Sequence, residues 1–255
     1  SGDGKPDLNV LRDICEQVSE LHSRGLEVCL VTSGAILCGR AKLGLNGAEK
    51  TLQIQQASAA VGQALLMEHY HSFFDKHGKC PAQVLLTEDD FADSSRRSNL
   101  VNAFECLLKL RAIPIVNEND TVSTSELDAS EGRDERLFGD NDVLSALVAK
   151  GIQADLIVIL STVDGLLDKD GKALGEVCGF GEELEALNNG TVNGRGGILT
   201  KLKAFKEASK AGIAGVFANG REPLVLTRIL AGEKVGTFFH KAVSTTSKLE
   251  VIERA

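Results

Sequence analysis

Apolar positions along this chain follow two alternating rhythms. Leu8, Leu11, Ile14, Cys15, Val18 and Leu21 recur at helical spacing, and Gly25 stands where such a helix would stop. Residues 26–32 form a short, largely apolar run that predicts a buried strand, and helical patterns return over 35–43 and 51–76. A strand is predicted at 82–87. Thr87 and Asp90 then stand at the spacing of a capping-box variant, ahead of a helix from 94 to 110. Next come a strand at 113–116, a polar loop to 138 and a helix over 141–150. Residues 155–160 are almost uniformly apolar, the signature of a strand buried on both faces. A glycine-rich turn at 194–197 opens a helix to 211, residues 213–218 read as a strand, and Pro223 starts a helix to 230.

Strands that alternate with helices predict an α/β fold: an open, doubly wound, mainly parallel sheet sandwiched by helices. Ligands of such sheets sit beyond the carboxyl ends of the strands. Ser33-Gly34-Ala35, Ser161-Thr162 and two Asn/Asp-rich runs all leave strand ends or open helices, so one edge is expected to collect them. The acidic stretch 123–136 reads as a mobile loop or a solvated surface excursion, and there is no internal repeat.

With 255 residues, 43% of them hydrophobic and 25% charged, the chain suits one large globular domain or two small ones. A net charge of -8 argues against nucleic acid as a main partner, while leaving room for a small anion held by a few placed cations. The six cysteines form no C-x-x-C pair and fall mostly in apolar runs, so they are expected to be reduced core residues. His69 and His71 are two apart, on different faces of a helix, and no metal-ligand set is expected. No apolar stretch approaches the ~18 residues of a membrane span. The polar start, Ser1-Gly2-Asp3-Gly4-Lys5-Pro6, is not a signal peptide, and the expectation is a soluble cytoplasmic protein.

The two runs carrying most chemistry are Asn117-Glu118-Asn119-Asp120 and Gly139-Asp140-Asn141-Asp142. Amide NH2 groups grip a carboxylate, and Asp carboxylates grip an ammonium or a hydrated metal ion; the alternative is plain turn and cap chemistry. A third signal is Gly194-Arg195-Gly196-Gly197-Ile198-Leu199-Thr200-Lys201. Its glycines allow close approach of backbone N–H groups to an anion, a helix N-terminus follows, and Lys201 lies about one turn on. The spacing is not that of a Walker A loop, and a simple turn is the alternative. Ser161 and Thr162 either offer hydroxyls to a nucleotide or end their strand.

Taken together, these segments resemble the glutamate 5-kinase branch of the amino acid kinase family. The matching stretches are Val31-Thr32-Ser33-Gly34-Ala35, Gln83-Val84-Leu85-Leu86-Thr87, Pro114-Ile115-Val116-Asn117-Glu118-Asn119-Asp120, Gly139-Asp140-Asn141-Asp142, Gly196-Gly197-Ile198-Leu199-Thr200-Lys201 and Gly236-Thr237-Phe238-Phe239-His240. The resemblance runs over roughly 8–240, giving a kinase domain over 1–240 and a tail, 241–255, with no assignable role. It implies ATP- and Mg2+-dependent phosphorylation of the side-chain carboxylate of L-glutamate, the committed step toward proline, commonly with proline as feedback inhibitor and with homo-dimers or homo-tetramers. By position, Ser33, Gly34, Asn117, Asp120 and Asn141 would hold glutamate. Lys201 and the loop Arg195-Gly196-Gly197-Ile198 would hold ATP phosphates, with Ser161 and Thr162 near the nucleotide. Lys201 and Asp142 would be catalytic, Asp142 orienting the lysine. Relatives usually carry Thr-Asp or Ser-Asp where this chain has Ser161-Thr162. They also begin with a strand bearing a Lys and a Gly-Ser/Thr turn, a segment expected to precede Ser1, since a sheet without it would have a gap. Two rival readings stand beside this one: a kinase for another small acid, and a non-catalytic glutamate or proline sensor.

Overall fold

Asp7 opens the first helix, its carboxylate accepting a hydrogen bond from Val10 N at 3.4 Å, and Gly25, at φ +100°, takes the left-handed turn that ends it. The computed structural model describes residues 6–45, 47, 51–87, 89–122, 141–168, 170–181 and 195–242. In chain order its elements are α1 (Leu8–Ser23), β1 (Leu30–Val31), α2 (Ala35–Lys42), α3 (Leu52–Phe74), β2 (Cys80–Leu86), α4 (Asp89–Ala92), α5 (Ser94–Lys109) and β3 (Ala112–Glu118). There follow α6 (Asn141–Gly151), β4 (Leu156–Ser161), β5 (Glu176–Val177), α7 (Arg195–Lys210), β6 (Ala214–Asn219), α8 (Val225–Leu230) and β7 (Thr237–Phe239).

Helices lie on both faces of mainly parallel strands, as the alternating pattern predicts. On one face, Cys15 and Val18 of α1, Leu66, Tyr70 and Phe74 of α3 and Val225 of α8 pack against Ile113 and Ile115 of β3 and Val216 and Ala218 of β6. On the other, Leu144 and Val148 of α6 meet Val31, Leu86 and Val116, while Ala146 and Ala149 join Ile157, Ile159 and Phe205 of α7. Strand β4 serves both sides, since Leu156, Val158 and Leu160 turn toward the first cluster and Ile157 and Ile159 toward α6 and α7.

Hydrogen bonding divides the strands into two sheets, ordered β1-β3-β2 and β4-β6-β7-β5. Every pair is parallel except β6 with β7. The predicted strand at 26–32 contracts to Leu30–Val31, which among the described residues pairs only with β3. The last helix starts at Val225 and not at Pro223, because Leu224 adopts φ +54° just before it. Thr87 and Asp90 do cap as their spacing suggests, Thr87 N donating to Asp90 Oδ2 at 2.7 Å.

The cysteines divide. Burial pushes the thiols of Cys15 and Cys29 up to about 12, and that of Cys38 also upward, so these three are inert at neutral pH. Cys80, Cys106 and Cys178 are exposed, contrary to the core reading: Cys80 starts β2, Cys106 lies on an outer turn of α5 and Cys178 follows β5.

Helix α2 lies on α3 backbone to backbone. A Cβ on Gly62 would stand 1.7 Å from Ala35 O, and one on Gly39 would stand 1.8 Å from Ser58 O. Only glycine permits that approach.

Arg111 donates to the carbonyls of His22 and Gly25 and so closes the carboxyl end of α1. His22 is buried there, and desolvation first, then the charges of Arg111 and Lys79, hold its pKa below the usual value. The unfolded chain therefore takes up a proton as pH falls through about 6.5, while the folded chain stays neutral until its own lower pKa. Stability is expected to fall over that window and to level off beneath it. Thermal unfolding between pH 7.5 and 5 should decline more steeply for wild type than for His22→Gln; parallel curves would remove His22 from the account.

Candidate active site

Parallel pairing brings the carboxyl ends of β1, β2 and β3 to one edge. Thr32 N donates to Val116 O at 2.8 Å, and Asn119 N donates to Leu86 O at 2.8 Å. The turn Ser33-Gly34, leaving β1, and Asn119-Asp120, leaving β3, therefore share that edge. Gly34, at φ +104°, turns the chain into α2 without a side-chain cap. Tyr70 of α3 fixes the base of the turn from behind, its buried hydroxyl donating to Thr32 Oγ1 at 2.7 Å.

The amino end of α6 comes to the same edge, because the fully buried Leu144 packs with Val31, Leu86 and Val116 at the strand ends. One turn earlier stand Asn141 and Asp142. Asn141 Oδ1 is buried and has no hydrogen-bond partner among the described residues, an acceptor whose desolvation they leave uncompensated.

Asp142 is the centre of the polar cluster. Its Oδ2 accepts from Lys201 Nζ at 2.7 Å and from Thr200 Oγ1 at 3.3 Å, and Lys201 Nζ also reaches Gly197 O at 3.3 Å. The Asp142 and Lys201 side chains are 13% and 18% exposed, so most of the pair is withdrawn from water, where its attraction is stronger than on the surface. The first turn of α6 is thus joined to the second turn of α7, so that a lysine ammonium lies beside a helix amino end, whose backbone N–H groups and dipole favour negative charge. Such an arrangement suits a multiply charged anion.

The remaining predicted residues lie as follows. Ser161 ends β4 half-buried, its carbonyl accepting from Gly220 N at 2.8 Å, and Thr162 beyond it is exposed. Gly197 and Ile198 lie in the first turns of α7; Arg195 and Gly196 open that helix, and their side chains lie outside the described residues, as do Gly139, Asp140, Gly194, the stretch 123–136 and most of the tail. Asn117 is in the interior. At 1% exposure, its Nδ2 donates to Gln63 Oε1 at 3.0 Å and its Oδ1 accepts from Glu118 N at 2.9 Å.

Sequence reasoning missed Thr200 as a partner of Asp142, Gln63 as the partner of Asn117, and Asp164, whose Oδ1 accepts from Asn219 Nδ2 at 2.8 Å across the ends of β4 and β6. Only Gln63 left a readable trace: it is an amide at core spacing between Ala59 and Met67.

Residues 1–219 match the profile described as Amino acid kinase family. The chain belongs to the amino acid kinase family. The chain is 43% identical over 244 residues to a protein of Caldanaerobacter subterraneus subsp. tengcongensis named Glutamate 5-kinase, a match covering 92% of the chain and 63% of that relative. It is 41% identical over 246 residues to the Glutamate 5-kinase of Ligilactobacillus salivarius, covering 93% of the chain and 90% of the relative. The chain therefore spans under two thirds of the first of these relatives and nearly the full length of the second. An N-acetylglutamate synthase from Neisseria gonorrhoeae, solved with coenzyme A and N-acetyl-glutamate, shares the fold at a TM-score of 0.67 and 14% identity, over 92% of this chain and 57% of its own.

Proposed function

We propose that this amino acid kinase transfers the γ-phosphoryl group of ATP to the side-chain carboxylate of L-glutamate. The observation that carries the reading is the Lys201–Asp142 pair joining the first turn of α6 to the second turn of α7, beside an edge bearing Ser33, Gly34, Asp120 and Asn141. The names of the relatives supply the acceptor.

Glutamate ionises near a pKa of ~4.3, so its carboxylate is already a nucleophile at neutral pH and needs no base. One carboxylate oxygen bonds to the γ-phosphorus as the bond from that phosphorus to the bridging oxygen of ADP breaks, giving glutamyl 5-phosphate and ADP. The obstacle is the approach of two anions, which placed cations and N–H donors relieve. Lys201, held by Asp142 and Gly197 O, supplies positive charge to the moving phosphoryl group. Arg195, Gly196, Gly197 and Ile198 at the start of α7 cradle the phosphates, with Ser161 and Thr162 flanking the nucleotide. Asp120 takes the α-ammonium of glutamate, and Ser33, Gly34 and Asn141 its α-carboxylate, with Asn117 beneath them.

Among the described residues no group of three or more His, Cys, Asp or Glu is arranged to hold a metal. Asp142 would offer one carboxylate to Mg2+ that is otherwise carried by nucleotide phosphates and water. The ion would supply positive charge to the phosphates as the phosphoryl group moves.

On this reading the reaction is the first step toward proline, with proline as a feedback inhibitor at the acceptor edge and a homo-dimer or homo-tetramer as the working form in the cytoplasm. Among the described residues no helix is long and apolar enough to cross a membrane.

The test traps acyl phosphate with hydroxylamine in the presence of Mg-ATP, comparing glutamate, aspartate and acetylglutamate. Glutamate-dependent hydroxamate is expected. No product with any acid, from folded protein that still binds glutamate, would favour the sensor reading, and product with a different acid alone would reassign the acceptor. Asp120→Ala should raise the KM for glutamate by roughly ten- to a hundredfold, as a lost charge-assisted contact requires. An unchanged KM would sink the ammonium assignment.

A further inference from the structure

Three amides run in line from the sheet edge into the core. Gln63 Nε2 donates to Gln83 Oε1 at 3.0 Å, Asn117 Nδ2 donates to Gln63 Oε1 at 3.0 Å, and Glu118 N donates to Asn117 Oδ1 at 2.9 Å. Gln63 is 9% exposed and Asn117 1%, while Gln83 is exposed on β2. Each amide fixes the orientation of the next, and the last bond fixes the backbone where β3 gives way to Asn119-Asp120. Asn117 thus spends its side chain inward, on the turn that carries Asp120.

The helix that supplies Gln63 also locates the opposite wall. Gly62, its neighbour, lets α3 touch the backbone of Ala35 at the start of α2, and Tyr70 holds Thr32, which precedes Ser33-Gly34. Both sides of the acceptor edge are therefore referenced to α3, one through Gly62 and Tyr70 and the other through Gln63.

We propose that Gln63 is a positioning residue that sets the distance between the Ser33-Gly34 turn and the Asn119-Asp120 turn, and through it the length of acid accepted. The proposal rests on the acceptor reading above. Losing the relay frees Asn117 and lets the Asp120 turn move relative to Ser33, so acceptor binding suffers while the nucleotide side, built on α6 and α7, does not.

Two substitutions separate this role from simple packing. Gln63→Leu fills similar volume but removes both bonds. Gln63→Glu keeps an acceptor for Asn117 Nδ2, and the exposed Gln83 can turn its amide so that Nε2 donates to the second oxygen. If Gln63 only fills space, leucine should be tolerated and glutamate should not. If it positions, the order reverses.

The experiment measures hydroxamate formation with glutamate and with aspartate for wild type and both variants. For Gln63→Leu the KM for glutamate should rise about tenfold, the effect of one lost buried hydrogen bond. Its KM for ATP should hold within about twofold, and the preference for glutamate over aspartate should narrow. Gln63→Glu should recover most of the lost affinity. Active wild type with Gln63→Leu kinetically unchanged, or with glutamate binding worse in Gln63→Glu than in Gln63→Leu, would overturn the positioning role and leave the kinase reading intact. Wild type without glutamate-dependent product would overturn both. Should Gln63→Leu not fold, Gln63→Met carries the same comparison.

Discussion

Replacing Lys201 with methionine is expected to lower kcat by at least ~10²–10³, the range for removing one preorganised charge or donor from a transition state. The KM for glutamate should stay within about threefold. The asymmetry follows from geometry: Lys201 Nζ is held by Asp142 Oδ2 at 2.7 Å and by Gly197 O at 3.3 Å, at the start of α7. The acceptor edge belongs to β1, β3 and the first residue of α6. Methionine keeps the length and the apolar stem, so the change reads charge and not volume. Lys201→Arg should restore little, since a planar fork does not reproduce a compact ammonium held from two sides. The measurement is steady-state hydroxamate production with each substrate varied, together with calorimetric glutamate binding. Normal turnover would remove Lys201 from the mechanism, and a raised KM with unchanged kcat would make it a ground-state binding residue.

Wherever a period is long enough to show itself, the fold was legible. The 3.6-residue rhythm of α1 and the uniform apolarity of β4 each determine an element by themselves. Strand β7 is three residues, and it is a strand because Gly215 faces Phe239 in the antiparallel pairing with β6. Its anchor is the fully buried Thr237, whose Oγ1 donates to Leu174 O at 2.6 Å and accepts from Leu166 N at 2.9 Å. No local pattern encodes those partners, 63 and 71 positions away. The same holds for Asp142 and Lys201, 59 positions apart, whose pairing emerges only when α6 and α7 pack.

In the site, residue types were readable and directions were not. Polar amides at strand ends mark an edge, yet Asn117 and Asp120 have different surroundings. Side chains alternate along a strand, so Asn117 falls on the face of Ile113 and Ile115, toward α3, while Val116 faces α6. With β3 predicted to stop at residue 116, Asn117 read as loop. Two more residues of strand turn it into a core amide and call for a buried partner, which Gln63 supplies.

Gly62→Ala should be strongly damaging for so small a change. Its new methyl would lie 1.7 Å from Ala35 O, 2.5 Å from Gly39 N and 2.8 Å from Ala35 C, all backbone atoms that no rotamer change can clear. The helices must separate, at an overpacking cost of about 3 kcal/mol or more, which for a chain of this size lowers Tm by roughly 6–12 °C. Because Ala35 begins α2 directly after Ser33-Gly34, the displacement passes to the acceptor edge. The KM for glutamate should therefore rise at temperatures where the protein is still folded, with the KM for ATP less affected. Gly39→Ala meets Ser58 O at 1.8 Å across the same contact and should cost a similar amount. Since one separation of α2 from α3 relieves both clashes, the double variant should lose distinctly less than the sum of the two. Calorimetry on the three variants decides it. A Tm within 1 °C of wild type for Gly62→Ala would mean that α2 does not rest on α3 backbone to backbone, and a fully additive double variant would mean that each glycine answers to a separate constraint.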